Sequence, residues 1–217
     1  MKAASLRGFL ASLGILLADL FVAGHAGAGS SDSSRPRVLA VKFNTDISPP
    51  TGDYFKSELS HAQSAGYDAV VLELDTPGGL LDTMRSMYQK MLVSKIPVIV
   101  YVSPQGARAA SAGVWISQAA DVLAMSPISN IGSSTPIDGS GANLGSDLRR
   151  KVINDAVASL TALAEAHQRN TKWPAQAVRG ASNLTAQQAL KMNVIDTIAP
   201  SLPALLKKLD GYRTKDA

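Results

Sequence analysis

The chain has 217 residues, with 21 Lys and Arg against 17 Asp and Glu for a net charge of +4, 5% aromatic residues and no cysteine. This mild charge, with no basic cluster interleaved by aromatics, excludes a nucleic-acid-binding surface, and the missing thiols exclude disulfides and thiolate chemistry. Three isolated histidines and no spaced carboxylate cluster offer no metal site, so neither a metal nor another cofactor is expected.

Lys2 and Arg7 precede the apolar run Phe9–Val22, and small residues follow through Ala28, the pattern of a secretory leader with A-x-A sites ending at Ala26 or Ala28. Asp19 inside the run disfavours a spanning helix, because a carboxylate in hydrocarbon is costly. The expected organisation is a leader over 1–28, a disordered polar linker over 29–36, one domain over 37–210 and a tail over 211–217. Such a protein is exported across the inner membrane and stays periplasmic or membrane-associated on the extracytoplasmic side. Without Lys2, Arg7 and Asp19, 19 basic and 16 acidic residues remain, a net of +3. About 190 residues suffice for one α/β domain with its own core.

The domain opens on a strand over Val38–Phe43 and an amphipathic helix over Asp53–Ser64. A buried strand, Ala69–Leu74, leads through Asp75-Thr-Pro-Gly-Gly79 into a helix over Leu80–Ser94. The strand Pro97–Val102 leads through Gly106-Ala-Arg-Ala-Ala-Ser-Ala-Gly113 into a helix over Ser111–Gln118, and the strand Val122–Met125 follows. Residues 133–150 lack any hydrophobic period and are rich in Gly, Ser and Asp, so a mobile loop is expected there, either a lid or a plain surface loop. After it come a long helix from Leu148 to His167, a short one over Pro174–Arg179 and one opened by the Thr185-Ala-Gln-Gln188 capping box. A strand over Val194–Ile198 and a helix over Leu202–Leu209 complete the series. Alternating strands and helices imply a mainly parallel sheet with helical cover.

Two strand-to-helix turns carry chemistry. Ser111 stands among residues too small to shield its Oγ, beside the free amides at the start of a helix. This geometry suits acyl transfer, although small-residue turns of this kind also serve close packing. In the other turn, glycine after proline admits backbone angles closed to other residues and can point an N–H into a cleft. The Gly79 N–H, with that of Ala112, forms a candidate two-donor oxyanion hole for a tetrahedral intermediate at Ser111. Gly78 and Gly113 are expected to line the substrate cleft. Replacing Gly79 should then harm chemistry, and replacing Gly78 should harm mainly the turn. An ordinary structural turn is the alternative.

The two motifs stand roughly thirty residues apart and resemble the ClpP/crotonase superfamily, and more closely the membrane-associated NfeD proteases that partner prokaryotic stomatins. The resemblance continues through Ala119-Ala-Asp-Val-Leu-Ala-Met125, Asn130-Ile-Gly132, Lys151-Val-Ile-Asn-Asp-Ala156, Arg169-Asn170, Trp173, Ala177-Val-Arg179, Leu184-Thr-Ala186 and Val194-Ile-Asp196. It implies a ClpP/crotonase-like superhelix of ββα units, although no sequence repeat is visible. It also implies a peptide or protein substrate, such as an apolar segment of a stomatin-like membrane protein, and a homodimer or higher homo-oligomer. Long members of the family continue into transmembrane helices and a small β-barrel, so a truncated or soluble form is among the expectations.

A serine nucleophile needs a base. His25 falls in the leader, His61 in an amphipathic helix and His167 late in the long helix, none near either motif. The block where some relatives carry histidine reads Asn130-Ile-Gly-Ser-Ser-Thr-Pro136, so a Ser-His-Asp triad is not expected. The resemblance instead implies a Ser-Lys dyad, with its lysine at Lys151. Lysine titrates near 10.4 in water, so neutrality at pH 7 needs roughly 4–5 kcal/mol from desolvation and neighbouring cations. Val152, Ala156, Val157 and Leu160 are the expected apolar surroundings, and Arg149 and Arg150 the cations. Two further readings are a crotonase-type enzyme acting on acyl-CoA and a catalytically silent module that binds a membrane partner by strand addition.

Overall fold

The computed structural model describes residues 36–137 and 145–214. Residues 1–35 lie outside these, so the expected leader and nearly all of the linker are not described. The middle of the expected loop, 138–144, also lies outside the described residues.

In chain order the elements are β1 (Val38–Asn44), α1 (Pro49–Ser64), β2 (Ala69–Asp75), α2 (Leu81–Leu92), β3 (Val98–Val102), β4 (Arg108–Ala110) and α3 (Ala112–Gln118). There follow β5 (Val122–Met125), β6 (Asn130–Gly132), α4 (Ser146–Ala166), α5 (Trp173–Arg179), β7 (Asn183–Thr185), α6 (Ala186–Lys191), β8 (Thr197–Ile198) and α7 (Leu202–Leu209). Five strands form one parallel sheet in the order β1-β2-β3-β5-β8. Three more form a small sheet, β4-β6-β7, whose first pair is parallel and second antiparallel.

Strand residues of the large sheet divide by alternation. Val41, Phe43, Val70, Leu72, Leu74, Val98, Val100, Val102, Leu123 and Met125 enter the main core with the inner faces of α1 to α4. Val71, Ile99, Tyr101, Val122 and Ala124 point the other way, into a smaller cluster closed by Leu205 of α7. Sheets covered on both faces show such near-continuous apolar strands. Burial pushes the Tyr101 hydroxyl upward, helped by the negative charge of Glu73, and that hydroxyl donates to the Ala199 carbonyl at 2.8 Å.

The superhelical repeat is visible in the pairing. Each of the first four strands of the large sheet steps into a second, short pairing before its helix begins. After β1, Ile47 bridges Gly79; after β2, Thr76 bridges Ala109; β3 is followed by β4, and β5 by β6. These are the ββα units that the resemblance implied. No helix among the described residues is long and apolar enough to cross a membrane.

The structure differs from expectation where segments are short. β4, β6 and β7 span three residues each, too few for a period-two pattern to register. The first helix begins at Pro49, not Asp53: two prolines occupy its opening positions, where a missing N–H costs nothing, and Thr51 Oγ1 accepts the Ser48 N–H at 2.9 Å. Strand Val194–Ile198 shortens to β8. The loop expected over 133–150 is shorter too, because α4 already begins at Ser146 and Ser133–Thr135 are bonded to the region of α5 and β7.

A buried ion pair fastens the far end of the domain. Arg169, 4% exposed, donates to the carbonyls of Gln118 at 3.0 Å and Ala120 at 2.8 Å, and its Nη2 lies 2.7 Å from Asp196 Oδ2. The same carboxylate oxygen accepts the Leu123 N–H at 2.7 Å, so one cluster ties the end of α3, the start of β5 and the approach to β8. Arg169→Ala should lower unfolding free energy by about 3–5 kcal/mol, since it removes the guanidinium from a buried ion pair and from two buried carbonyls, and Arg169→Lys should restore little because an ammonium cannot serve this planar set of acceptors. Urea denaturation of the three proteins measures both.

Candidate active site

Ser111 stands where β4 turns into α3, with φ 51° and ψ −121°, a left-handed backbone that costs a non-glycine residue about 1–3 kcal/mol. Surrounding bonds hold it there. Its N–H points between the carbonyls of Gly132 at 3.3 Å and Ser133 at 3.2 Å. Its own carbonyl accepts the Val114 N–H at 3.0 Å and the Ser134 hydroxyl at 3.3 Å. The small sheet therefore exists around this residue: β4 delivers it and β6 receives its amide.

Small neighbours are required by contact. A Cβ on Gly113 would come within 2.6 Å of Thr76 Cγ2, so the buried Gly113, expected at the cleft, packs against β2's continuation. A Cβ on Gly78 would lie 2.5 Å from Ser111 Cβ and 3.0 Å from Ser111 Oγ. Gly78 thus abuts the hydroxyl itself. A Cβ on Gly79 would instead overlap the backbone of Ile47.

Ile47 donates to the Gly78 carbonyl at 2.7 Å and accepts the Leu80 N–H at 2.8 Å, gripping the glycine pair from the β1 side. The fully buried Thr76 takes the Gly78 N–H on its Oγ1 at 3.1 Å. With the Gly78 amide engaged, the Gly79 and Ala112 amides, like that of Gly113, make no hydrogen bond among the described residues. The steric roles of the glycines therefore reverse the sequence-based expectation: crowding of Ser111 belongs to position 78 and damage to the turn to position 79. Ile47, Thr76 and Ser134 were not singled out from sequence. Thr76 alone carried a signal, as a polar residue adjoining an apolar strand.

Between α2, α3 and α4 lies a cavity of about 50 Å³ lined mainly by Leu81, Met84, Trp115, Pro136, Val152 and Ala156, with Arg85, Asp155 and Ser159 also on its wall. Leu80, Leu81, Ile137 and Leu148 are exposed apolar side chains on the same segments. Such a surface accepts apolar groups.

Lys151 lies in the opening turns of α4 and is exposed, as are all its helical predecessors from Ser146. The apolar burial expected around it is absent among the described residues: Val152 and Val157 are half-buried, and Ala156 and Leu160 turn inward, away from the amine's exposed face. Of the expected cations, Arg150 is committed to Asp147 at 3.0 Å. Arg85 of α2 reaches Asp155 at 3.6 Å, and Arg179 of α5 donates to Asn154 at 2.9 Å, so α4 is held from two sides one turn beyond Lys151. His61 is exposed on α1 beside Tyr67. His167 is buried in a hollow with Pro97 and Asp121, at the strands' N-terminal ends and so at the opposite pole from Ser111. His25 lies outside the described residues.

The chain is 37% identical over 180 residues to the membrane-bound protease PH1510 of Pyrococcus horikoshii, covering 82% of this chain and 41% of that protein. It is 25% identical over 221 residues to the membrane protein NfeD1b of Bacillus subtilis, covering 94% and 47%. It thus spans less than half the length of these curated relatives. Among solved structures it is similar to the 1510-N membrane-bound stomatin-specific protease, as a lysine-to-alanine variant with a substrate peptide, at TM-score 0.78 and 34% identity over 84% of both chains. A serine-to-alanine variant matches equally, over 84% of this chain and 88% of that one. The model of the NfeD1b N-terminal domain matches residues 37–215, and with these similarities the chain belongs to that family.

Proposed function

We propose that this domain is a serine endopeptidase that cleaves apolar peptide segments through a Ser111–Lys151 dyad. The strained Ser111, crowded by Gly78 and flanked by the unengaged amides of Gly79 and Ala112, is the observation that carries the reading. Strain of this kind persists only where the surroundings over-determine it, and it clusters at active sites.

In the proposed reaction Ser111 Oγ attacks the peptide carbonyl as its proton passes to the neutral Lys151 Nζ. The oxyanion rests on the Gly79 and Ala112 N–H groups. The C–N bond then breaks, the departing amine takes the proton from Lys151, and an acyl-Ser111 ester remains. Water attacks that ester, giving its proton to Lys151, and Ser111 leaves with the proton restored. A peptide in the groove of Leu81, Trp115 and Val152 would cover the exposed start of α4 and exclude water from the amine.

The serine and lysine exchanged in the 1510-N structures stand 41 residues apart in that protein, against 40 between Ser111 and Lys151, which supports the pairing. That relative's specificity makes a stomatin-like membrane protein the proposed substrate, and the apolar groove fits such a segment. Lys2, Arg7 and the run Phe9–Val22 support an extracytoplasmic site of action. A homo-oligomer remains part of the proposal.

A serine-directed phosphonate should label Ser111, located by mass spectrometry of the adduct, and Ser111→Ala should lose all cleavage of apolar peptides while melting normally. Labelling elsewhere, or a Ser111→Ala rate within about twofold of wild type, removes Ser111 from the mechanism. Lys151→Arg should be as inactive as Lys151→Ala, because guanidinium does not accept a proton in proteins.

The glycines separate chemistry from folding. Gly78→Ala should lower kcat of the folded fraction by roughly 10²–10³, since its methyl displaces Ser111 and disturbs the oxyanion site, and at φ 115° it should lower the melting temperature as well. Gly79→Ala should lower the melting temperature first, because its methyl meets the Ile47 backbone. Equal thermal losses, with full kcat in the folded fraction of each, would reduce the pair to a turn.

A further inference from the structure

Two carboxylates lie within one helical turn of Lys151 on its own helix, Asp147 four residues before it and Asp155 four residues after it. Each is held by an arginine. Asp147 Oδ1 is 3.0 Å from Arg150 Nη2, and Asp155 Oδ2 is 3.6 Å from Arg85 Nη2, which crosses from α2. Among the described residues Lys151 forms no ion pair.

An ammonium beside a carboxylate keeps its proton, whereas the proposed base must give that proton up before Ser111 attacks. We propose that Arg85 and Arg150 are positioning residues that occupy Asp155 and Asp147, preventing either carboxylate from pairing with Lys151. This inference rests on the reading of Lys151 as the base. The charged groups near it are few. Its own helix contributes Asp147, Arg149, Arg150 and Asp155 in these turns, α5 contributes Arg179, engaged with Asn154, and α3 carries no ionisable side chain. Of the charged residues of α2, Asp82, Arg85 and Lys90, only Arg85 makes an ion pair with α4 among the described residues. The arrangement also explains why the block Lys151-Val-Ile-Asn-Asp-Ala156 couples to distant arginines: Asn154 and Asp155 receive Arg179 and Arg85 on either side of the lysine's helical stripe.

The paired side chains are 44–80% exposed, so solvent and salt screen each carboxylate and each release should have a modest effect. An exposed helical pair at this spacing corresponds to about twofold in rate at neutral pH. The test compares wild type, Arg85→Gln, Arg150→Gln, the double variant, and the double variant carrying Asp147→Asn and Asp155→Asn. Peptidase kcat is measured from pH 6 to 10, with thermal melting alongside. The double variant should lose about fourfold at pH 7, reach its maximum rate at higher pH and equal wild type at pH 10. Removing the two carboxylates should restore the neutral rate to within about 1.5-fold of wild type, because nothing is left for Lys151 to pair with. No loss, a loss equal at every pH, or a loss that Asp→Asn does not relieve overturns the proposal. An active Lys151→Arg enzyme would instead sink the base assignment, whatever the arginine variants do.

Discussion

The backbone of Ser111 is the constraint on which the rest of this domain turns. A serine at φ 51° and ψ −121° does not hold that conformation unaided, so every element near it is arranged to supply a bond or to keep clear. β6 exists as three residues because its end must offer the Gly132 and Ser133 carbonyls to the Ser111 amide. Ser133 in turn hangs on Ser182, and Ser134 on Ala177, so α5 and β7 support Ser111 at one remove. From the other side, Thr76 fixes Gly78 and packs where Gly113 lacks a Cβ. The side chains that touch Ser111 are small because backbone had to come close.

Such strain is tolerable only on a rigid base. The parallel sheet provides one, since its central strands are buried on both faces and its two clusters leave no layer free to slide. The Arg169–Asp196 pair closes the opposite pole, where the segments after α4 and α6 return to the sheet. A buried ion pair adds little net stability compared with apolar packing, but it is intolerant of misplacement. Its contribution here is to fix which segments meet, and through β5 and β6 that arrangement reaches the carbonyls that bind Ser111.

Most of the large sheet was legible in the sequence because β1, β2, β3 and β5 are long enough to show near-continuous apolar runs, as Val98–Val102 does and as Val70–Leu74 does apart from Glu73. The small sheet was not. β4, β6 and β7 draw their stability from backbone bonds to neighbours far along the chain, and three residues of Arg-Ala-Ala or Asn-Ile-Gly carry no such information. The glycine pair was readable as a special turn, yet the assignment of each glycine depended on Ile47, more than thirty residues upstream, entering the same space. The long helix was readable from Leu148, but the exposure of its first turns was not, because an amphipathic pattern does not say which part of a helix has something to pack against.

The two halves of the proposed dyad are built on opposite principles, and the difference has a physical reason. A hydroxyl in a strained turn is neutral, so the fold can hold it permanently at a cost of about 1–3 kcal/mol in backbone strain. A lysine held permanently in an apolar site would cost several kcal/mol in every free molecule, charged on a solvated ion taken out of water. Leaving Lys151 exposed avoids that cost in the resting domain. On the proposed reading, the apolar peptide supplies the dry surroundings only when it binds, so part of its binding energy is spent on the base and not on affinity. The groove formed by Leu81, Trp115 and Val152 is then as much a device for excluding water from the start of α4 as a device for choosing substrate, and a polar peptide that fitted it would be held without being cut.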